Sequence, residues 1–178
     1  MSLESDDEEG PLGGGAAASA EAARRAAARL GAALALRALA PALGAAEVAA
    51  SLDFLMGRGL ADPDPAVREA MVAAGVAVVD LHGAAYAGTL MPLFEGYLEK
   101  RRPAAARGAA GVDEGRYDLV REGVVVLLGT LAAHLDQGDT ERAAIVETLL
   151  DVLSTPSEAV QRAVSSRLAP LMPAPSAP

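Results

Sequence analysis

The sequence predicts an all-α chain in which helix pairs stack side by side as a helical-repeat solenoid. Roughly a quarter of the 178 residues are alanine, the best helix former, and only 3% are aromatic, which leaves a sheet few of its preferred residues. Leucine and valine recur every three to four positions in segment after segment, the spacing of one helix face. Helix-start signals also return at related intervals along the chain. The length suits a single domain.

Residues 1–15 join an acidic run, Glu4 to Glu9, to Gly10-Pro11-Leu12-Gly13-Gly14-Gly15. Such a segment has too little apolar surface to offset the entropy of ordering and is expected to be a disordered tail. Residues 16–44 form an alanine-rich helix with Arg24, Arg25 and Arg29 on one side; Pro41 restricts its continuation.

Ala45 to Leu60 places Val48, Leu52, Leu55, Met56 and Leu60 on one face. In Asp62-Pro63-Asp64-Pro65, Asp64 can accept from unpaired amides as an N-cap and Pro65 suits the first helical position. A helix from Pro65 to His82 follows, buried on more than one side because Val72, Val76 and Val79 supplement the Val67, Met71, Ala74, Val78 and Leu81 face.

Thr89 to Arg101 is amphipathic through Leu90, Leu93, Phe94, Tyr97 and Leu98, and a Pro, Ala and Gly spacer runs from there to Val112. Asp118 to Leu135 is then predicted helical. Its Val124 to Leu128 run could be a buried strand, but the periodic segment is too long for one. Thr140 to Leu153 and Pro156 to Met172 close the chain, with Thr155-Pro156-Ser157-Glu158 read as a capping box at the last helix start. Residues 173–178 are expected to be disordered.

The second helix of each pair starts alike, at Pro65-Ala66-Val67-Arg68, Asp118-Leu119-Val120-Arg121 and Glu158-Ala159-Val160-Gln161. Val67, Val120 and Val160 are 53 and 40 residues apart; without the spacer, both intervals approach the ~40–47 residues of HEAT and armadillo units. The predicted architecture is therefore a HEAT/armadillo-like solenoid of about three pairs, 45–83, 86–136 and 140–172, after an N-terminal helix. Cutting such a stack exposes apolar end faces, so the isolated chain is expected to be marginally soluble and to self-associate.

The absence of cysteine excludes a disulfide framework and Cys-ligated zinc. Uncharged stretches such as Leu81 to Phe94 fall short of the ~20 apolar residues that cross a bilayer, so no membrane span is expected. The acidic N-terminus is unlike a secretory or transit signal, and the expected location is cytoplasmic. The net charge of −9 leaves no basic excess for nucleic acid, and any RNA contact must be a local patch.

Leu60-Ala61-Asp62-Pro63-Asp64-Pro65-Ala66-Val67-Arg68 is more specific than a generic repeat. With Leu81-His82-Gly83, Leu90-Met91-Pro92-Leu93-Phe94-Glu95, Tyr117 to Gly129, His134-Leu135-Asp136 and Leu153-Ser154-Thr155-Pro156-Ser157, the sequence resembles the translational activators called general control non-derepressible protein one. The resemblance spans about residues 47–172 and leaves out the low-complexity start. It implies a segment of a long HEAT solenoid on translating or stalled ribosomes, one that helps activate the kinase of translation initiation factor two in amino-acid starvation. The family's kinase-contacting region lies far towards its C-terminus and has no counterpart here. Where the family tends to carry Lys after the Leu90 helix, this chain has Ala104-Ala105-Ala106-Arg107-Gly108.

Lys100, Arg101, Arg102 and Arg107 put four cations in eight positions without an acid between them. They suit ribosomal RNA phosphates, or equally a solvated helix C-terminus whose dipole they complement; no aromatics interleave for base stacking. Arg24, Arg25 and Arg29 read as a solvated face. His82 and His134 are expected to serve helix C-termini, with Gly83 and Gly138 as left-handed caps, because neither has a spaced second ligand for a metal. Asp113, Glu114 and Asp118 suit a helix first turn rather than catalysis. Ser154-Thr155-Pro156 has the form of a proline-directed phosphorylation site, but Thr155 is assigned to the cap.

The leading function is a non-enzymatic scaffold with the ribosome and protein partners as its contacts, and with no cofactor, metal, membrane or small-molecule substrate. A generic protein-interaction adaptor is the alternative. A tubulin-binding module would need aromatic and basic residues in the turns inside each pair, and Asp62-Pro63-Asp64 and Ser154 to Ser157 supply neither.

Overall fold

A computed structural model describes residues 13–99 and 112–172; all of the described secondary structure is helical. α1 spans Gly13–Leu39 and runs into a 3-10 turn at Ala40–Ala42, where Pro41 ends the α-helical ladder. It begins inside the segment read as an N-terminal tail. α2 spans Ala45–Phe54 and widens into a π turn over Leu55–Gly59, with the Leu60 amide donating to the Leu55 carbonyl at 2.8 Å.

α3 begins at Pro65 as the sequence predicts. Asp64 Oδ1 accepts from the Ala66 amide at 2.9 Å and the Val67 amide at 3.3 Å, satisfying two donors that the helix start leaves unpaired. The helical run from Pro65 reaches Glu99, but two helices meet inside it at a kink at Tyr86, whose backbone departs from helical values (φ −121°, ψ 17°). The break expected between His82 and Thr89 thus takes the form of a kink without a loop, and Gly83 has no positive φ.

α4 spans Val112–Ala133, starting six residues before the predicted Asp118. α5 spans Thr140–Val152 behind an Asp139 cap that accepts from the Glu141 amide at 3.1 Å. Gly138 likewise takes no left-handed conformation. α6 spans Glu158–Leu168 and ends in a 3-10 turn at Ala169–Leu171. The predicted capping box is not formed: Ser157 occupies the cap position without a side-chain bond, and Thr155 is buried in the preceding turn. Gln161 secures that turn instead, its Nε2 donating to the Thr155 carbonyl at 2.8 Å and to the Leu153 carbonyl at 3.4 Å.

The helices stack in two ranks. α1, the first half of α3, α4 and α6 neighbour one another in that order; α2, the second half of α3 and α5 form the other rank. Glycines set the spacing in the first rank. A Cβ at Gly75 or Gly83 would lie 2.9 Å from Leu127 or Leu131, and one at Gly129 would lie 2.5 Å from the Arg167 Cβ. Between the ranks, Leu52, Leu55, Leu90, Phe94, Leu127, Leu131, Ile145, Leu149, Val160 and Val164 form one buried core along the stack.

On length and composition alone, α3 is long and apolar enough to cross a membrane. In the fold, its Val67, Val78, Leu90 and Phe94 are core residues, and its Asp80 faces His134. A helix sandwiched between neighbours becomes apolar on several sides for this reason.

Candidate functional site

Lys100, Arg101, Arg102 and Arg107 lie outside the described residues. The structure does define the corner from which this segment departs. α3 ends at Glu99, α4 starts at Val112, and the Tyr117 hydroxyl donates to the Leu98 carbonyl at 3.4 Å, tying the two helices together beside the segment. A cleft of about 220 Å³ opens there between the end of α3, α4 and α5; Glu95, Glu99, Asp151 and Arg121 line it. Arg121 holds its guanidinium 5.5 Å from the Tyr117 ring centroid, and its Nε is buried without a hydrogen-bond partner. Three carboxylates to one guanidinium give the corner a negative balance, a local counter-charge for any cation nearby.

A second polar constellation occupies the turn before α3. Asp62 is 6% exposed, and Arg29 grips it through Nε at 2.6 Å and Nη2 at 3.1 Å, a two-pronged pairing of planar groups. The Asp64 amide donates to the same carboxylate at 3.0 Å, while Arg68 Nη1 donates to the Asp62 carbonyl at 2.6 Å and the Pro63 carbonyl at 3.1 Å. Burial pushes the Asp62 carboxyl up, but the Arg29 guanidinium and the Asp64 amide outweigh it and hold the group below its ordinary value.

Arg29 therefore does not belong to a solvated face as the sequence suggests; it joins α1 to the next helix pair. Arg24 and Arg25 do remain exposed, each pairing with Glu21 on their own helix. The Arg29 to Asp62 link spans 33 positions, and no local pattern announces it.

The two histidines also bond across helices. His82 lies inside α3, its Nε2 2.8 Å from the Ala40 carbonyl, and His134 just past α4 has Nε2 2.8 Å from Asp80 Oδ1. Each reaches back to the preceding helix of its rank. Tyr97 does the same in the other rank, donating to Asp53 Oδ1 at 3.0 Å; burial, with the Asp53 carboxylate, raises its hydroxyl above the ordinary value. Ser154 donates its hydroxyl to the Asp151 carbonyl at 2.7 Å, and Thr155 is buried as a residue in the same turn. Among the described residues, no three His, Asp or Glu side chains are grouped to hold a metal ion.

This stack of helices, with Asp62 to Arg68 shaping one turn, matches over residues 7–133 a family model described as "Stalled ribosome sensor GCN1, HEAT repeats". The chain belongs to this GCN1 HEAT-repeat family. It is 46% identical over 144 residues to protein ILITYHIA of Arabidopsis thaliana and 41% identical over 147 residues to the stalled ribosome sensor GCN1 of Homo sapiens. It is 40% identical over 114 residues to the eIF-2-alpha kinase activator GCN1 of Saccharomyces cerevisiae. These stretches cover 81%, 83% and 64% of the chain but only 5%, 5% and 4% of the relatives. The GCN1 match includes α1, which the residue-level resemblance left out, and ends with α4. No solved structure matches the chain.

Proposed function

We propose that the chain is a non-enzymatic scaffold segment of a ribosome-associated, cytoplasmic regulator of translation. In this reading it forms part of a long solenoid that promotes activation of the initiation-factor-two kinase in amino-acid starvation. The family match over residues 7–133 carries the reading, and the relatives' names, stalled ribosome sensor and eIF-2-alpha kinase activator, give its direction. The repeat units are 45–83, 86–136 and 140–172, and the Tyr86 bend provides the junction between the first two. Lys100, Arg101, Arg102 and Arg107 are the ribosome-facing group, contacting ribosomal RNA through phosphates. Each neutralised phosphate releases counterions, which makes such contact salt-dependent.

Co-sedimentation of the chain with purified ribosomes at two salt concentrations tests this, beside a variant with all four cations changed to Glu. Salt-sensitive binding that the variant loses is the expected result. Absence of binding in both forms would overturn the ribosome reading and leave the segment a spacer between functional parts. Binding that survives the four substitutions would remove these residues from the contact.

A further inference from the structure

Between α3 and α4 runs an open groove of about 450 Å³ that none of the proposed contacts uses. Two small residues lie on its walls. Ala73 on α3 and Gly123 on α4 line it, and the absence of a Cβ at Gly123 admits the Leu60 side chain, whose Cδ1 would otherwise lie 2.7 Å away. Val72, Leu119 and Val126 supply its aliphatic walls, each partly exposed to solvent. A recess of this size, apolar inside and polar at the rim, accommodates one or two aliphatic side chains of a partner.

The rim carries more negative than positive charge. Glu69 and Glu122 line the groove, and neither forms an ion pair among the described residues. Arg68 lines it as well and keeps its positive charge while its Nη1 donates to the neutral Asp62 and Pro63 carbonyls. Two carboxylates against this one guanidinium leave the rim net negative. They repel a phosphate backbone and attract lysine or arginine.

We propose that this groove is a docking site for a peptide segment of a partner protein, with an aliphatic anchor side chain next to lysine or arginine. The anchor enters between Val72 and Val126, and the cation meets Glu69 and Glu122. Aliphatic burial supplies the affinity, and the two carboxylates select the flanking charge.

Random twelve-residue peptides displayed on phage and selected against the whole chain test the proposal, with subtraction on an Ala73→Leu variant that fills the groove. The expected consensus is Leu, Ile or Val beside Lys or Arg. A labelled synthetic peptide of that consensus, followed by fluorescence anisotropy, should bind Ala73→Leu and the Glu69→Lys/Glu122→Lys pair at least tenfold more weakly than the parent chain. Changing the peptide's cations to Glu should restore binding to the Lys pair, which separates charge recognition from misfolding. Equal selection on Ala73→Leu, a consensus without a basic residue, or failure of the charge exchange would overturn the proposal. So would binding of a labelled twelve-nucleotide RNA that Ala73→Leu abolishes, since the groove would then take nucleic acid.

Discussion

His134 faces Asp80 across two neighbouring helices, its Nε2 2.8 Å from the carboxylate, and the side chains are 38% and 48% exposed. A pair so open to water is worth about 1 kcal/mol or less. Asp80→Asn should lower the unfolding free energy by no more than that. Urea unfolding of both forms checks it; a larger loss would show that the contact does more than an exposed pair can.

Arg29 and Asp62 should make stability depend on pH in the acid range. The Asp62 carboxyl titrates lower in the fold than in the unfolded chain, where about 3.9 is usual. The pair's contribution is therefore complete above that unfolded value and is lost as pH falls through the folded one. Asp62→Asn should be less stable than the parent at pH 7, and the gap should narrow towards pH 3. A gap constant over this range would show that charge on Asp62 is not what the turn uses.

Gly129 and Gly31 should respond oppositely to alanine. A Cβ at Gly129 would sit 2.5 Å from the Arg167 Cβ, so α4 and α6 must separate, at a cost of about 1–3 kcal/mol. Gly31 lies within α1 with nothing within 4 Å of a new Cβ, and Gly31→Ala should add about 0.4–1 kcal/mol. Denaturant midpoints of the two variants decide between these signs.

Phe94 is fully buried and Phe54 is 47% exposed. Phe94→Ala should cost about 3–5 kcal/mol by emptying the space between the ranks. Phe54→Ala should cost far less, and thermal melts of the pair give the comparison. Similar losses would mean that Phe54 is covered by contacts in solution.

Glu95 and Glu99 stand at the corner from which Lys100 to Arg107 depart. If those cations face ribosomal phosphate, the carboxylates compete for them, and Glu95→Gln/Glu99→Gln should tighten ribosome co-sedimentation at low salt. Unchanged or weaker pelleting would separate the cleft from the cationic segment.

The parts legible in the sequence are those whose cause is local. Asp64 and Pro65 encode a helix start in two adjacent residues, and the bonds to Ala66 and Val67 form as expected. The kink at Tyr86 falls inside the break expected between His82 and Thr89, but its form, two helices meeting without a loop, depends on packing against neighbours. Gly123, Gly129 and the walls of the α3/α4 groove acquire meaning only through Leu60, Arg167 and each other, partners that tertiary packing selects. Arg29 looked like Arg24 and Arg25 for the same reason. The cationic cluster was plain in the sequence because charge density is a local property.

The kink inside α3 has a mechanical consequence. The helical stretches before and after Tyr86 meet directly, without a loop between them, like two vertebrae that touch without a spacer. Tension along the chain has no linker to straighten at this point and acts on the packing of the two stretches against their neighbours instead.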